Sequence, residues 1–508
     1  MHDKEHQQKS YVDESEKASR ESLFGSREVV VVSNRQPYKH EKVEGDDVSV
    51  KRPVGGLTAS LDPTIQDTGG TWIAWGDGEA DAAVVDESDR VEVPPKDPQY
   101  TLRRVWLSDE QVRNYYYGFS NQVLWPLCHS ALSNVRSEPS FWEEYYETNR
   151  QFADTIAEEA NKQSVIWIQD YHFALTPWLV RRELGSGSVL MQFWHIPWPD
   201  WDVFRACPHG DEILRGLLGN DLLGFHVDQY VSHFLDCVDA VLDDATINRR
   251  SGEVFYRGGV TRVEALPLGV PYHEIQQKAA TYSESEFGEF RASHGIDPDS
   301  RIAIGVGRLD YTKGIIERLR ALEHLWEQYP EWRESLTYVQ NGSKSRSQIR
   351  AYEAIQAEIH EEIERINERF GTDDWEPVVR VSEFLSQREL YGLYRHSDIS
   401  IVSSIRDGFN LVAEEYAAAQ VDGDGVLVLS TQTGVHDLIG KHAVSVSPFD
   451  VKRFAERLDE ALTMPPAEQR FRMQRIRQAV AANDLEAWLE KNASASLAVG
   501  RARSETRL

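Results

Sequence analysis

Short runs of apolar, mostly β-branched residues alternate with longer amphipathic stretches from residue 28 almost to the end of the chain. The apolar runs are continuous, which is typical of strands buried on both faces of a parallel sheet. Amphipathic stretches between successive strands predict helices that cross back over the sheet. The pattern therefore predicts an α/β fold with doubly wound parallel sheets. The predicted strands span residues 28–34, 164–170, 188–196, 222–226 and 263–269, then 301–309, 335–342, 378–383, 398–404 and 425–431.

The strands fall into two series, and 508 residues are too many for one compact core. We therefore predict two Rossmann-like domains that face each other across a cleft, over residues 28–273 and 274–478. Residues 1–27 are largely polar and predict a disordered N-terminal extension. Residues 479–508 predict a C-terminal helix and tail, for which packing against the N-terminal domain is one open arrangement.

The chain is strongly acidic, with 83 Asp and Glu against 55 Lys and Arg and a net charge of −28. Nucleic acid phosphates require basic patches, so this balance argues against a nucleic acid partner. No apolar run reaches the roughly 18 residues of a membrane span, and the polar N-terminus is not a signal peptide. We therefore expect a cytoplasmic protein with no membrane partner, and its three cysteines, which lack CxxC spacing, to be reduced. The acidity suits a halophilic source, and an acidic mesophile protein is the alternative.

Charged or imidazole residues follow the predicted strands at their carboxyl ends. Ligands of open α/β sheets bind beyond these ends, so a cluster there predicts a site. Four of the residues are cations in an acidic protein, which indicates ligands that carry phosphate. The residues are Arg35, Asp170 and His195 in the first series, and Arg308, Lys313, Arg346 and Asp407 in the second.

Glycine and aromatic residues near these strand ends add to the predicted site. Gly56, in a Gly-Gly pair, and Gly408, ahead of a predicted helix, would let backbone N–H groups approach a phosphate. Trp75, Tyr116 and Trp125 offer aromatic faces with polar edges, which suit a sugar, and core packing is the alternative role for each.

Nine separated motifs resemble those of the trehalose-6-phosphate synthases, which are glycosyltransferases of the two-Rossmann GT-B type and form glycosyltransferase family 20. In chain order they are VVVVSNR, GGL at 55–57, YYYGFSNQVLWPLCH, IWIQDYHF, HIPWP, DLLGFH, GVGRLDYTKG, SR at 345–346 and RDGFNLVAEEY. The resemblance covers residues 28–490. It implies transfer of glucose, with retention, from UDP-, GDP- or ADP-glucose to glucose 6-phosphate, a step of trehalose biosynthesis that supports osmolyte and stress protection. The donor base and a homo-oligomeric state stay open.

The resemblance also implies roles for individual residues, matched motif by motif. The catalytic group is His195, Arg308, Lys313 and Asp407, in which the two cations stabilise the leaving diphosphate and His195 lies beside the donor glucose. The donor is bound by Gly56, Arg308, Lys313, Asp407, Gly408, Phe409, Asn410, Leu411, Val412 and Glu415, with Glu415 on the ribose. The acceptor is bound by Arg35, Trp75, Tyr116, Trp125, Asp170 and Arg346.

The implied mechanism is internal return, in which the departing phosphate oxygen helps to deprotonate the acceptor on the same face. It uses no metal and no cofactor, and the enzyme contributes positioning and charge stabilisation. Glu414, the neighbour of Glu415, points about 100° away on a helix and is expected to be a solvated surface residue.

Three departures from the family pattern lie around the acceptor. The stretch 36–54 is longer than in compact bacterial members, Trp198 replaces a usual Phe, and NGSKSR leads to Arg346. Glycerol 3-phosphate therefore stays open as acceptor, as in the glucosylglycerol-phosphate synthases, and so does a non-catalytic homologue that binds sugar phosphates. An NAD-dependent oxidoreductase is disfavoured because SNRQPY, not GxGxxG, follows the first strand. A pyridoxal phosphate-dependent phosphorylase is disfavoured because Lys313 resembles a phosphate ligand.

Overall fold

The alternating pattern folds into two separate parallel sheets, each in its own unit of the chain. The computed structural model describes residues 23–43, 47–52 and 56–505. One unit comprises the described residues up to Leu266 and those from Leu489 onward, and the other is Pro267–Trp488. The domain limits predicted from the sequence stay predictions. Most of the predicted N-terminal extension lies outside the described residues, and within its last part Phe24 is buried, with its ring 6.1 Å from that of Trp167.

The first unit is built on a sheet of ten strands among the described residues, in the order β10-β11-β12-β9-β8-β7-β1-β4-β6-β5. Neighbours from β12 to β6 pair in parallel, and β5, β10 and β11 add antiparallel edges. β2 and β3 form a separate hairpin. The strands are β1 Val29–Ser33, β2 Lys39–Lys42, β3 Val48–Lys51, β4 Thr71–Trp75, β5 Arg90–Val93, β6 Tyr100–Val105, β7 Val165–Gln169, β8 Val189–Phe193, β9 Leu222–Phe225, β10 Thr246–Asn248, β11 Glu253–Tyr256 and β12 Gly259–Ala265.

Helices connect these strands, and one of them is a long π-helix, Val112–Leu124. The α-helices are Gly56–Thr68, Asp81–Val84, Asp109–Gln111, Trp125–Cys128, Pro139–Glu159, Thr176–Leu184, Trp201–Phe204, Gly210–Leu217 and Asp228–Val241, with 3₁₀ turns at Leu132–Asn134 and Tyr171–Phe173. The last helix, Leu485–Glu505, begins in the second unit, and its residues from Leu489 onward belong to the first.

The second unit carries a sheet of six parallel strands among the described residues, in the order β15-β14-β13-β16-β17-β18. Counted within the unit this is 3-2-1-4-5-6, the strand order of dinucleotide-binding Rossmann folds. The strands are β13 Arg301–Val306, β14 Leu336–Asn341, β15 Val378–Val381, β16 Ile399–Val402, β17 Val426–Ser430 and β18 Val444–Val446.

Helices cover both faces of this second sheet. Ile302 and Ile304 of β13 belong to one apolar core, and Ala303 between them belongs to the other. The α-helices are Tyr272–Ala280, Glu284–Ser293, Ile315–Gln328, Arg350–Phe370, Gln387–His396, Leu411–Ala419, His436–Ile439, Val451–Thr463 and Pro466–Ala482, with 3₁₀ turns at Tyr311–Lys313 and Pro330–Trp332. The predicted doubly wound α/β class is therefore confirmed.

All ten strands predicted from the sequence are present. The sequence did not indicate the parallel strands β4, β6 and β18, nor the antiparallel strands β2, β3, β5, β10 and β11. In β6, YTLRRV, apolar and polar residues alternate, so the run lacks the continuous apolar signal of β1 or β7.

A glycine inside helix Gln387–His396 sets how closely that helix approaches a neighbouring tyrosine. A Cβ at Gly392 would lie 2.2 Å from Tyr282 Cγ and 2.6 Å from Tyr282 Cβ, which are not mobile atoms. Gly392→Ala should therefore lower the free energy of unfolding by about 1–3 kcal/mol, the usual cost of overpacking a core. Urea or thermal unfolding of the purified variant measures the loss.

Gly288→Ala is the matched control, because Gly288 lies in helix Glu284–Ser293 of the same unit and a Cβ added there would have no atom within 4 Å. Alanine there should be neutral or stabilising by up to about 1 kcal/mol. Equal effects of the two substitutions would contradict the close approach at Gly392.

Candidate active site

The first unit changes winding direction between β1 and β7, and predicted site residues follow both strands. Parallel strands that leave such a point in opposite directions open a crevice at their carboxyl ends. Arg35 lies two residues after β1, and Asp170 directly follows β7. Because these strands are adjacent in the sheet, the two residues lie at the same edge.

Arg35 contacts two of the aromatic residues predicted with it. Its Nη2 donates to the Tyr116 hydroxyl at 2.9 Å. Its guanidinium carbon lies 5.0 Å from the centroid of the Tyr116 ring and 5.6 Å from that of Trp75, and the two rings are 5.8 Å apart. The structure therefore brings Arg35, Trp75 and Tyr116 together as one cationic and aromatic group.

Tyr116 is positioned by the π-helix. The Asn121 side chain donates to the Tyr116 carbonyl at 2.7 Å, and the Gln122 side chain donates to the Tyr117 carbonyl at 3.1 Å, each five residues back. The π-helix is rare, and its usual form, a single-turn bulge within an α-helix, occurs frequently at functional sites. No pattern in the sequence predicted this geometry.

Two further rings connect Tyr116 with Trp125, which directly follows the π-helix. The His172 ring stacks 5.9 Å from Tyr116 and 4.1 Å from Tyr171, and Tyr171 lies 5.9 Å from Trp125. His172 and Tyr171 come from the turn after β7. The aromatic residues predicted for the acceptor thus belong to one continuous cluster, of which His172 and Tyr171 are members that the sequence did not assign to it.

Asp170 and His195 are also joined. Asp170 has a left-handed φ of 73°, and its Oδ1 accepts from the backbone N–H of Tyr171 at 2.9 Å and of His195 at 3.2 Å. The His195 Nε2 lies 2.9 Å from Gln169 Oε1. With the Gln169 carbonyl oxygen in this position, the contact corresponds to the tautomer that carries the proton on Nε2. Burial and the neighbouring His226 hold the pKa of His195 well below its usual value, so the imidazole is neutral at neutral pH.

The second unit changes winding direction between β13 and β16, and its predicted site residues follow the same rule. Arg308 and Lys313 follow β13, and Asp407 follows β16. Lys313 Nζ donates to Asp407 Oδ2 at 2.6 Å. Ser404 Oγ and Asn410 Nδ2 donate to the same oxygen, each at 3.0 Å. The predicted donor residues Lys313, Asp407 and Asn410 therefore form one hydrogen-bonded group.

The predicted cations of this unit all lie near one buried carboxylate, that of Asp310. Asp310 is fully buried, and its Oδ1 accepts from the Thr312 N–H at 2.9 Å. Arg308 Nη2 lies 3.8 Å from Asp310 Oδ2. Burial alone would raise the pKa of Asp310, but the charges of Arg308, Arg346 and Lys313 outweigh it and hold that pKa below its usual value. Asp310 was not predicted as a site residue, although it stands within the RLDYTK motif.

Arg346 lies in the second unit, and its charge, like that of Arg308, lowers the pKa of Asp310. Its φ is left-handed at 48°, and its Nη1 donates to the Tyr352 hydroxyl at 2.6 Å. Its predicted role on the acceptor stays a prediction.

The turn over 408–412 leads into helix Leu411–Ala419. Asn410 has a left-handed φ of 97°, and its Oδ1 caps the helix by accepting from the Ala413 N–H at 3.3 Å. Phe409 is buried, and Leu411 and Val412 form the first helical turn. A Cβ at Gly434 would lie 2.2 Å from the Gly408 carbonyl oxygen, so the turn rests directly on the segment after β17.

The expectation for Glu414 is wrong. Its side chain is fully buried, and neither carboxylate oxygen has a hydrogen-bond partner among the described residues. Helix Leu411–Ala419 is enclosed on most sides, as the burial of its three consecutive alanines shows, so no face is left for a solvated carboxylate. Burial and the neighbouring Glu415 raise the pKa of Glu414 well above its usual value. Glu415 is partly exposed, and burial raises its pKa to about 7.

Gly56, the remaining predicted residue, is the first residue of helix Gly56–Thr68, and its partner Gly55 lies outside the described residues. Across the described residues, no three His, Cys, Asp or Glu side chains are grouped so that they could hold a metal ion. Nor does any described helix combine the length and apolar character needed to cross a membrane. The expected independence from metals and cofactors stays a prediction.

Replacing Glu414 with Gln should make the protein relatively more stable as the pH rises. A carboxyl with a raised folded pKa stabilises the fold below its unfolded pKa of about 4.3, and that contribution is lost as the pH rises through the folded pKa. The amide does not ionise, so the advantage of Glu414→Gln over the parent should grow from about pH 5 to pH 8, by up to about 1.4 kcal/mol per pH unit. Thermal unfolding across that range measures it.

Glu353→Gln is the matched control, because Glu353 is an exposed carboxylate in the first turn of helix Arg350–Phe370. Its stability difference from the parent should not vary over the same pH range. A Glu414→Gln difference that is equally flat would show that the buried carboxyl does not titrate there.

The comparisons with known proteins agree with this geometry. The model of glycosyltransferase family 20 matches residues 27–497. The trehalose-6-phosphate synthase of Mycolicibacterium smegmatis is 34% identical over 493 residues, which are 96% of this chain and 95% of that protein. The UDP-forming alpha,alpha-trehalose-phosphate synthase A of Dictyostelium discoideum is 32% identical over 472 residues, or 92% of this chain, and the match spans 62% of that protein's length.

A solved structure extends the likeness to three dimensions. The E. coli protein bound with UDP-2-fluoro glucose superposes with a TM-score of 0.82 at 32% identity, over 92% of this chain and 98% of that one. Each of the two Rossmann-like units carries polar residues where its sheet changes winding direction. Together with a family match over residues 27–497, this places the chain in glycosyltransferase family 20.

Proposed function

We propose that the protein is a retaining glucosyltransferase that transfers glucose from a nucleotide-glucose to glucose 6-phosphate. The products are trehalose 6-phosphate and the nucleoside diphosphate. The observation that carries the proposal is the placement of cations after the switch-point strands of both units, Arg35 in the first and Arg308 and Lys313 in the second. A phosphorylated acceptor and a diphosphate donor together account for cations in both units.

UDP-glucose is the proposed donor, because the Dictyostelium relative is named as UDP-forming and the E. coli structure holds a UDP-sugar analogue. In this chain the diphosphate would be met by Arg308 and Lys313 and by the N–H groups at the start of helix Leu411–Ala419. Asp407 would accept hydrogen bonds from sugar hydroxyls, and Glu415 would bind the ribose. Both cations stabilise the charge that develops on the leaving diphosphate.

Arg35 would bind the acceptor phosphate, and the cluster of Trp75, Tyr116 and Trp125 would form the wall of the acceptor site. Asp170 would accept from acceptor hydroxyls. His195 is neutral, so it would form a hydrogen bond with the donor glucose without adding charge. Positioning of the two substrates, rather than covalent catalysis, is the main contribution of these groups.

In the proposed reaction, the bond between the glucose anomeric carbon and the diphosphate oxygen breaks. The acceptor hydroxyl oxygen forms a bond to that carbon on the same face, and its proton passes to the departing phosphate oxygen. Charges and protons balance without an enzymic base, so the protein needs only to hold the two substrates and stabilise the leaving group.

The test is a matrix of UDP-, GDP- and ADP-glucose against glucose 6-phosphate and glycerol 3-phosphate, with products identified by mass and by the anomeric configuration in NMR spectra. We expect an α,α-linked disaccharide phosphate from UDP-glucose and glucose 6-phosphate. Exclusive formation of glucosylglycerol phosphate would replace the acceptor. Binding of both substrates without any product would identify a regulatory homologue.

Arg308→Ala and Lys313→Ala should each lower kcat/KM by about 10²- to 10³-fold, the cost of removing one group that stabilises developing charge. Steady-state kinetics with both substrates measures the loss, and circular dichroism checks the fold. Arg320→Ala is the control, because Arg320 is a half-exposed arginine on helix Ile315–Gln328 that pairs with the exposed Glu358 and the mostly buried Glu362 of a neighbouring helix. Near-normal activity of both site variants would disprove the diphosphate assignment.

Arg346→Ala should raise the KM for glucose 6-phosphate about tenfold or more, because a charge-assisted hydrogen bond to phosphate is lost. The KM for the donor should change little. Lys344→Ala, an exposed cation of the same loop, is the control. If instead the donor KM rises, Arg346 acts with Arg308 on the diphosphate and the acceptor role is wrong.

A further inference from the structure

A carboxylate that no family motif indicated contacts the predicted phosphate ligand of the first unit. Asp77 lies two residues after β4, the neighbour of β1 in the sheet, so it reaches the same edge as Arg35. Its Oδ2 accepts from Arg35 Nη1 at 2.8 Å. The Arg35 side chain is half exposed and that of Asp77 is mostly buried. A partly buried carboxylate therefore fixes an arginine that faces solvent.

The Asp77 carboxylate is itself held in place by a hydrogen bond from Gln36. Gln36 Nε2 donates to Asp77 Oδ1 at 2.8 Å and to Asp81 Oδ2 at 2.5 Å. Gln36 Oε1 accepts from Arg104 Nε at 3.1 Å, so the orientation of the Gln36 amide is set by its two other partners. The Gln36 amide can therefore present only its N–H₂ group to Asp77.

The base of this network is an ion pair closed off from water. The side chains of Arg104 and Asp81 are fully buried, with Nη2 and Oδ1 3.0 Å apart. Asp81 Oδ1 accepts from the His40 N–H at 2.8 Å and its Oδ2 from the Gly78 N–H at 2.7 Å. Burial alone would raise the pKa of Asp81, but the hydrogen bonds from His40 and Gln36 lower it to about 2. The pair therefore stays ionised and holds the loop that carries Asp77.

Part of the network comes from residues 36–54, the stretch expected to be longer here than in compact bacterial members of the family. Gln36 and His40 belong to it, and so does Lys39, whose Nζ lies 3.7 Å from Asp77 Oδ2. Asp77 is thus shared by two cations at the edge of the acceptor site. This gives the long stretch a role that the family motifs do not cover.

We propose that Asp77 is a positioning residue for the acceptor phosphate, which fixes the Arg35 guanidinium against Tyr116 so that its other N–H groups face the phosphate. The proposal rests on the proposed function. Two of the five Arg35 N–H donors are used by Asp77 and Tyr116 among the described contacts. A guanidinium held at two points loses less conformational entropy when it binds a phosphate, so the fixed geometry favours binding.

Asp77→Ala tests the role. The KM for glucose 6-phosphate should rise about tenfold or more, the effect of losing a charged hydrogen bond, while kcat and the KM for the donor change less than about twofold. Asp77→Asn should be intermediate, because an asparagine cannot accept from Arg35 and Gln36 with both of its polar atoms. Asp97→Ala, an exposed aspartate of the same unit, is the control and should leave all three constants unchanged.

Calorimetric titration with glucose 6-phosphate and with glucose separates a phosphate effect from a general one. Asp77→Ala should weaken binding of the phosphate ester and leave that of glucose as in the parent. Equal weakening of both ligands, or tighter binding of glucose 6-phosphate through relief of charge repulsion, would overturn the proposal. Parent protein that binds glucose 6-phosphate but forms no product would disprove the proposed function and leave the Asp77 comparison intact.

Discussion

Parallel strand pairing is the constraint that places both groups of predicted site residues, the group after β1 and β7 in the first unit and the group after β13 and β16 in the second. Each crossover helix returns the chain to the edge of a parallel sheet where the next strand starts, so the carboxyl ends of all its strands lie together at the opposite edge. In both units the first strand lies beside the fourth parallel strand of the chain order, β1 with β7 and β13 with β16, and the winding reverses at that pair. Arg35 and Asp170 follow the first pair, and Lys313 and Asp407 follow the second. The same topology therefore positions a cation beside a carboxylate-bearing turn twice in one chain.

In both units, carboxylates lie beside the cations that are predicted to bind the substrates. Arg35 forms an ion pair with Asp77, and Lys313 forms one with Asp407. Arg308 and Arg346 both interact electrostatically with Asp310. In a chain with a net charge of −28, an unpaired flexible cation would sample many surface carboxylates. An ion pair with a carboxylate at a fixed position restricts the conformations of the cation before a ligand binds. The same carboxylate also weakens the attraction between the cation and a phosphate.

The strand ends could be predicted from the sequence because buried parallel strands leave a continuous apolar signal, as VVVVS and VIWIQ show. Side-chain partners from distant segments could not. Asp77 lies 42 residues from Arg35, and nothing local to either residue indicates the contact. The sequence of the π-helix that orients Tyr116, VRNYYYGFSNQVL, has the pattern of an ordinary amphipathic α-helix. The expectation for Glu414 was wrong because it assumed a polar face on that side of the helix, whereas Glu414 and the three consecutive alanines after Tyr416 are all buried.

The burial of Glu414 also bears on how a helix with two glutamates in its first turns could bind the diphosphate proposed for it. An ionised Glu414 would gain only about 0.3–1 kcal/mol from the helix dipole, whereas burying an unpaired charge costs several kcal/mol. Burial therefore prevails, and together with the neighbouring Glu415 it raises the pKa of the Glu414 carboxyl well above its usual value, which favours the neutral form. A neutral carboxyl does not cancel the positive end of the helix. The N–H groups at the start of helix Leu411–Ala419 thus keep the positive dipole end that the proposed contact with the donor diphosphate needs, while burial raises the pKa of the partly exposed Glu415 to about 7.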